Sequence, residues 1–338
     1  MRPIPLPLQN IYAELVEQCA ATEMAREFPA YGGFAVKTVA GRRYIYWQGQ
    51  INGQRIQKSV GVETPELLNR IARHREIREA DLTQRTRLVS ALVEAGQHAM
   101  PPSAAKIALA LSHAGVFRRG GVLVGSWAYA AYSPILGFYM PMDLAQTQDL
   151  DIALVEIAID QEPIDVASAL KAADASFAPA FSSPHASEPP YAFINRDGYR
   201  VEFLTILRRG KKRDSARPKS VNTGAMPLRF LEYLFENTLN AVVLYRHGLL
   251  IRVPSPLRFA LHKLIVSQIR TRESAAKRTK DILQSAAILE VLAASQPDSV
   301  SAEWKALLRR GPAWRKHATA GAQRLPQHLQ ALLRARSK

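Results

Sequence analysis

Cysteine is almost absent: Cys19 is the only one in 338 residues. A single thiol excludes an intrachain disulfide and any zinc site built from several cysteines, and it fits a reducing cytoplasm. Acidic residues are also scarce, with 29 Asp plus Glu against 45 Lys plus Arg, a formal net charge of +16. No apolar run precedes the first helical pattern, and the start MRPIPLPLQN is interrupted by Pro3, Pro5 and Pro7, so no export signal is expected. The one long uncharged stretch, Gly120 to Met142, contains Gly125, Pro134, Gly137 and Pro141. A proline inside a helix costs about 3 kcal/mol, so this stretch reads as a buried strand, turn and helix rather than a membrane span, and no membrane partner is expected.

Charged residues make up 22% and hydrophobic ones 47%, which places the basic excess on a folded protein rather than a disordered arm. At ~150 residues per domain the length suggests two domains, or three if one is small. The first segment has Ile11, Leu15, Val16 and Cys19 at helical spacing. From Phe34 the period becomes two, in FAVKTV, RYIYWQGQ and QRIQKSVG, broken at Ala40-Gly41 and at Asn52-Gly53. An Asn-Gly pair between alternating segments is a strong hairpin signal, so a three-stranded meander is expected over 34–61. Thr64-Pro65-Glu66 starts a long helix that ends near Gly96. The meander carries Arg42, Arg43, Tyr44, Tyr46 and Trp47. It resembles the arm-type DNA-binding modules of tyrosine integrases, but the simpler reading is that Tyr44 and Tyr46, with flanking valines, pack on the following helix.

Ser103 reads as the cap of a second helix that stops at Gly115. GGVLVGSWAYAAY reads as a strand, Gly121 to Val124, turning at Gly125-Ser126 into a helix. TQDLDIALVE is a strand carrying Asp149 and Asp151, and YAFIN and YRVEFLTIL form a hairpin around Arg196-Asp197-Gly198. From Ser220 onward apolar residues recur at helical spacing, so a helical tail is expected. The resulting boundaries are 1–100 for helix, meander and long helix, 101–219 for the α/β core, and 220–338 for a helical segment with a basic tail.

Asp149 and Asp151 lie at i and i+2, which on a strand puts both carboxylates on one face. Close carboxylates repel each other, so such a pair calls for a cation. Mg²⁺ takes hard oxygen ligands and is commonly shared between carboxylates and substrate phosphates. Glu202, in the second arm of the hairpin, is a third acid, and three acids on neighbouring strands suit two-metal phosphoryl chemistry. Gly125-Ser126 at a helix start offers backbone N–H groups and the positive end of the helix dipole to a phosphate.

A strand, Gly-Ser, a helix, Asp-x-Asp on a strand and a single acid on a later strand together resemble the nucleotidyltransferase superfamily of DNA polymerase β-like enzymes. The pieces LVGSWAYAAY, TQDLDIAL, RVEFLTIL, VPSPLRFALHKLIVSQIR and KRTKDILQSAAIL are most similar to the AbiE-type abortive-infection toxins and their uncharacterised relatives. The resemblance spans roughly residues 115–295. It implies an α/β (α+β) nucleotidyltransferase core with a mixed sheet, beside the small meander and the helical C-terminal part. It further implies that Gly125 and Ser126 hold the triphosphate of an NTP such as ATP. Asp149 and Asp151 would bind two Mg²⁺ ions, with Mn²⁺ as the alternative, and Glu202 the ion near the attacking hydroxyl. Lys263, Arg270 and Asp281 match a helical Lys, Arg and Asp pattern of the same group, which implies that Lys263 and Arg270 help bind the nucleotide. Two departures stand out. The stretch SPILGFYMPMDLAQ separates Gly-Ser from the acids by more than the usual compact spacing, so it either forms a loop over the nucleotide or marks Gly-Ser as misassigned. The third acid is Glu rather than Asp.

Basic residues gather in RRGKKRDSARPK, including Arg208, Arg209, Lys211 and Lys212, directly after the Glu202 strand, while Lys305 to Lys338 contains no acid. A basic run beside an acid centre is placed to guide a polyanion. The expected activity is Mg²⁺-dependent transfer of NMP to an acceptor hydroxyl on RNA, a tRNA 3′ end first. A protein hydroxyl is the alternative acceptor. The rival reading is a non-catalytic nucleic-acid-binding protein with a degenerate core. The resemblance also implies a toxin or phage-defence role with an antitoxin protein as partner.

Overall fold

The computed structural model describes residues 1–24, 32–39, 41–51, 54–155, 163–180, 189–207, 216–270 and 274–335. Helix α1 (Leu6–Met24) buries Tyr12, Leu15 and Cys19, one stripe at i, i+3 and i+7. The meander follows as β1 (Gly33–Val39), β2 (Arg42–Ile51) and β3 (Gln54–Val62), antiparallel in the order β1-β2-β3. Residues 52–53 at its second turn lie outside the described residues. The covered face differs from the expected one. Ile45 and Trp47 are buried, and the Trp47 ring lies so close to Gly32 and Gly49 that neither has room for a side chain. Tyr44 and Tyr46 stand half-exposed on the opposite face, and Val36 and Val39 are exposed. Alternation separates two faces but does not say which is covered when both carry aromatics.

Helix α2 (Pro65–Glu94) starts as expected: the Thr64 hydroxyl accepts a hydrogen bond from Leu67 N at 3.2 Å, with Pro65 in the first turn. Helix α3 (Pro102–Ala114) ends on left-handed Gly115, but Ser103 does not cap it. The start falls at Pro102, and Ser103, already inside the first turn, donates instead to the Tyr199 hydroxyl at 2.5 Å.

The main sheet combines β4 (Gly121–Val124), β5 (Asp149–Leu154), β6 (Ala178–Pro179), β7 (Ala192–Ile194), β8 (Arg200–Ile206) and β9 (Met226–Leu228). Its order is β4-β5-β8-β7-β6, with β9 on the far end of β8, and it is mixed: β5 and β9 run parallel to β8, β4 and β7 antiparallel to their neighbours. Two helices follow its strands, α4 (Gly125–Leu136) directly after β4 and α5 (Val166–Ala173) after β5. The fold class is therefore the expected mixed α/β core.

The helical tail begins later than expected. Residues 238–254 form an antiparallel hairpin, β10 (Thr238–Val243) and β11 (Leu249–Pro254), and helices start only at α6 (Pro256–Ile269). The near-continuous apolar runs of that hairpin imitate a buried helix, an ambiguity periodicity alone does not resolve. β10 also anchors α1, because Val242 N donates to the Tyr12 hydroxyl at 2.9 Å beside Leu15, Cys19 and Leu92. Four more helices complete the fold: α7 (Ala275–Ser295), α8 (Pro297–Arg309), α9 (Pro312–Ala322) and α10 (Gln327–Ala335). Gly321 of α9 sits against the Leu264 carbonyl, where a Cβ would come within 2.3 Å, so α6 and α9 cross in close contact. Among the described residues, no helix is long and apolar enough to cross a membrane.

Candidate active site

Strand pairing assembles the acids. In the parallel β5–β8 ladder Asp149 faces Arg200 and Asp151 faces Glu202, so all four side chains leave one face of the sheet. Val124, the last residue of β4, pairs with Asp151, which brings the start of α4 to the same spot. Gly125 takes a left-handed conformation at φ +68°, and a Cβ there would lie 2.2 Å from Asp151 Oδ2. Both the conformation and the close approach require glycine. The half-buried Ser126 follows, and no side chain caps α4. An uncapped first turn leaves its backbone N–H groups without helical partners.

The long insert does not displace Gly-Ser from the acids. Its first part completes α4, and Met142–Ala145 make a short 3₁₀ turn tied to α7, with Gln284 Nε2 donating to the Leu144 carbonyl at 2.6 Å and Lys280 Nζ to the carbonyl of Gln146, just after the turn, at 2.7 Å.

Protein cations partly balance the acids. Glu202 pairs with Arg200 on its own strand, and Asp149 with Lys277 of α7 at 3.4 Å. No described residue pairs with Asp151. Burial, then the charges of Glu202 and Asp149, push its carboxyl up to about 7, against the opposing influence of Lys263 and Lys277. Among the described residues, no three His, Cys, Asp or Glu side chains close into a metal cage. The three carboxylates offer oxygen donors only.

Lys263 and Arg270 do converge, on Asp281. Lys263 Nζ donates to Asp281 Oδ1 at 2.6 Å and Arg270 Nε to Asp281 Oδ2. Burial works against the Asp281 carboxylate, but Lys263 and Arg270 outweigh it and hold the carboxyl below its usual range. Arg208, Arg209, Lys211 and Lys212 lie outside the described residues.

Arg200, Lys277 and Lys280 escaped the reading of the sequence. The signal for the two lysines is present in KRTKDILQ: Lys277, Lys280, Asp281 and Gln284 follow i, i+3, i+4 and i+7, one helical face. That face meets the acids and the 3₁₀ turn.

A profile of the family described as nucleotidyltransferase matches residues 103–309 of the chain. The chain belongs to this nucleotidyltransferase family. No curated protein and no solved structure matches it. The matched span begins at α3, includes the whole mixed sheet and ends with α8, so the meander, α1 and α2 lie outside it. Membership assigns the general chemistry, nucleotidyl transfer from a nucleoside triphosphate.

Proposed function

We propose that this nucleotidyltransferase is Mg²⁺-dependent and transfers NMP from an NTP to an acceptor hydroxyl of RNA, with a tRNA 3′ end as the first candidate. The observation that carries this reading is the trio Asp149, Asp151 and Glu202 on one sheet face, with Gly125 pressed against Asp151 at the start of α4. Crowding of carboxylates around half-buried Asp151 and an oxygen-only donor set fit a hard cation that keeps sites for substrate phosphates. When bound, a pair of Mg²⁺ ions would neutralise charge on the attacking and leaving oxygens.

The protein's own groups divide the remaining work. Asp149, Asp151 and Glu202 would hold the cations, with Glu202 on the acceptor side. The first turn of α4, through Gly125 and Ser126, binds the triphosphate by backbone N–H groups. Lys263 and Arg270 add positive charge, and Asp281, bonded to both, positions them. Arg208, Arg209, Lys211 and Lys212 guide the polyanion. A toxin or phage-defence role with an antitoxin partner rests on the sequence resemblance alone.

The test is incubation with Mg²⁺, each α-labelled NTP and total RNA, beside an Asp149→Ala/Asp151→Ala variant. Label on RNA with the native chain and none with the variant is the expected result. Label on protein moves the acceptor to a protein hydroxyl. No transfer to either, with RNA binding unchanged or tighter in the variant, overturns the enzyme reading in favour of a binding protein.

A further inference from the structure

The meander of β1, β2 and β3 lies before the span that the family profile matches, which begins at residue 103. One of its faces is closed over Ile45 and Trp47, each 1% exposed. The other face is open. Strand register sets Lys37 opposite Tyr44, Ser59 opposite Tyr46 and Gln57 opposite Gln48, so these six side chains leave the sheet on the same side. The two tyrosines stand half-exposed on the middle strand, and Lys37, Gln48, Gln57 and Ser59 around them are exposed.

Charge on this segment has one sign. Gly33–Val62 contains Lys37, Arg42, Arg43, Arg55 and Lys58 and no Asp or Glu. Arg43 meets Glu63 at 3.1 Å. Exposed Arg42, paired with Val39 at the end of the open face, has no acidic partner among the described residues. Lys37 Nζ donates to Gln57 Oε1 at 2.8 Å and lies 5.6 Å from the centre of the Tyr46 ring. One ammonium thus ties the three strands together with no carboxylate to neutralise it. An open aromatic surface with unopposed cations complements a polyanion whose bases can stack.

The spacing of the rings narrows the choice of polyanion. Tyr44 and Tyr46 stand ~6.6 Å apart along β2, about twice the ~3.4 Å step of stacked bases. Two rings so placed suit bases drawn apart, which a single strand allows and a duplex does not. Gln48, Gln57 and Ser59 bring hydrogen-bond donors and acceptors beside the rings. A 2′-hydroxyl can use both kinds, and it is the group that separates RNA from DNA.

We propose that the tyrosine face of the meander binds single-stranded RNA. Tyr44 and Tyr46 stack on two bases, and Lys37 and Arg42 contact backbone phosphates. The proposal goes beyond the acceptor reading and does not rest on it: label transferred to protein instead of RNA leaves it standing.

Anisotropy of a labelled 12-nucleotide single-stranded RNA, titrated with the full chain over a range of salt without Mg²⁺, tests it. Tyr44→Leu/Tyr46→Leu is expected to weaken binding by about tenfold or more with the salt slope unchanged. Tyr44→Phe/Tyr46→Phe, which keeps both rings, is expected to bind as the native chain does. Lys37→Gln/Arg42→Gln is expected to reduce the slope by about 1.4, at ~0.7 per lost phosphate contact. Arg315→Ala/Lys316→Ala, which removes two exposed charges from α9, controls for net charge and is expected to have a small effect. Melts of all four variants should match the native chain, because the substituted side chains face solvent. Native binding by Tyr44→Leu/Tyr46→Leu, an equal loss in the α9 control, or single-stranded or duplex DNA bound as tightly as the RNA overturns the proposal. A native dimer that Tyr44→Leu/Tyr46→Leu splits into monomers assigns the face to a second copy of the chain and overturns it as well.

Discussion

Two clusters of charge in this protein answer burial in opposite ways. Around Tyr233, two acids meet two arginines: Glu236 accepts from Arg258 and Arg310, and Glu303 accepts from the Tyr233 hydroxyl at 2.7 Å and from Arg258 at 3.1 Å. Both guanidiniums lie over the Tyr233 ring. Burial works against the Glu236 carboxylate, but Arg310 and Arg258 outweigh it and hold its carboxyl below the usual range. At the β5–β8 ladder three acids meet two close cations, and Asp151 is pushed the other way, up to about 7. The balanced cluster joins α6 and the C-terminal end of α8 to the segment before β10, a structural task. The unbalanced one sits where the start of α4 meets the inner strands β5 and β8, the pattern expected of a site that awaits charged substrates. Net charge alone does not tell them apart; pairing does.

The comparison breaks most visibly at Asp151. Asp151→Asn keeps the shape of the side chain and removes a repelling charge. Nucleotidyl transfer is expected to fall by about 10³ or more, ~4 kcal/mol in the barrier, while Tm stays level or rises. A steady-state assay beside thermal melts checks both, and a large drop in Tm would mean that Asp151 is structural. Next in size is Asp281, which is 2% exposed and neutralises Lys263 and Arg270 together. Asp281→Asn strands two cations at the α6–α7 interface, and a loss of ~3 kcal/mol is expected from urea unfolding. Lys263→Met in the same background should recover part of it, because the more buried of the two stranded cations is then gone.

The parts of the site that local chemistry dictates were readable in the residues. Gly125-Ser126 after an apolar strand, two aspartates two apart, and Glu202 in a hairpin arm each follow from period and turn chemistry, and the structure brings them together. The parts that depend on distant packing were not. Lys277 and Arg200 owe their places to the docking of α7 and to the β5–β8 register, which no local spacing encodes. The β10–β11 hairpin was hidden because LNAVVLY and LLIRVP are apolar almost throughout, although Gly248 between them marked a turn. The meander's inner face was misread because Trp47 and Tyr46 are equally credible core residues until the neighbours of Gly32 and Gly49 are known.

A smaller effect, read by pH, comes from beside the Lys263–Asp281–Arg270 group. His262 is buried beside Lys263, Asp281 and Arg270, and its Nε2 has no hydrogen-bond partner among the described residues. Burial, then Lys263, push it down to about 3. A base depressed in the folded state favours unfolding once the unfolded chain takes up the proton. Its stabilising contribution is complete above about pH 6.5 and is lost progressively as the pH falls toward 3. At pH 5 the expected loss is ~2 kcal/mol, at about 1.4 kcal/mol per unit below 6.5. Melts from pH 7 to 5 should show a shallower decline in His262→Gln than in the native chain, and parallel curves would remove His262 from the acid response.

Glu236 gives the smallest effect and the sharpest control. Its side chain is 39% exposed, so water screens its pairs with Arg258 and Arg310. After its removal Arg258 keeps Glu303, and Arg310 keeps the faces of Tyr233 and Trp314. Glu236→Ala is therefore expected to cost only ~1 kcal/mol in stability and to leave the rate of nucleotidyl transfer unchanged, the inverse of Asp151→Asn. If it instead slows transfer as much as Asp151→Asn does, the helices behind the balanced cluster govern the geometry of the acids, and pairing no longer separates structural charge from working charge in this protein.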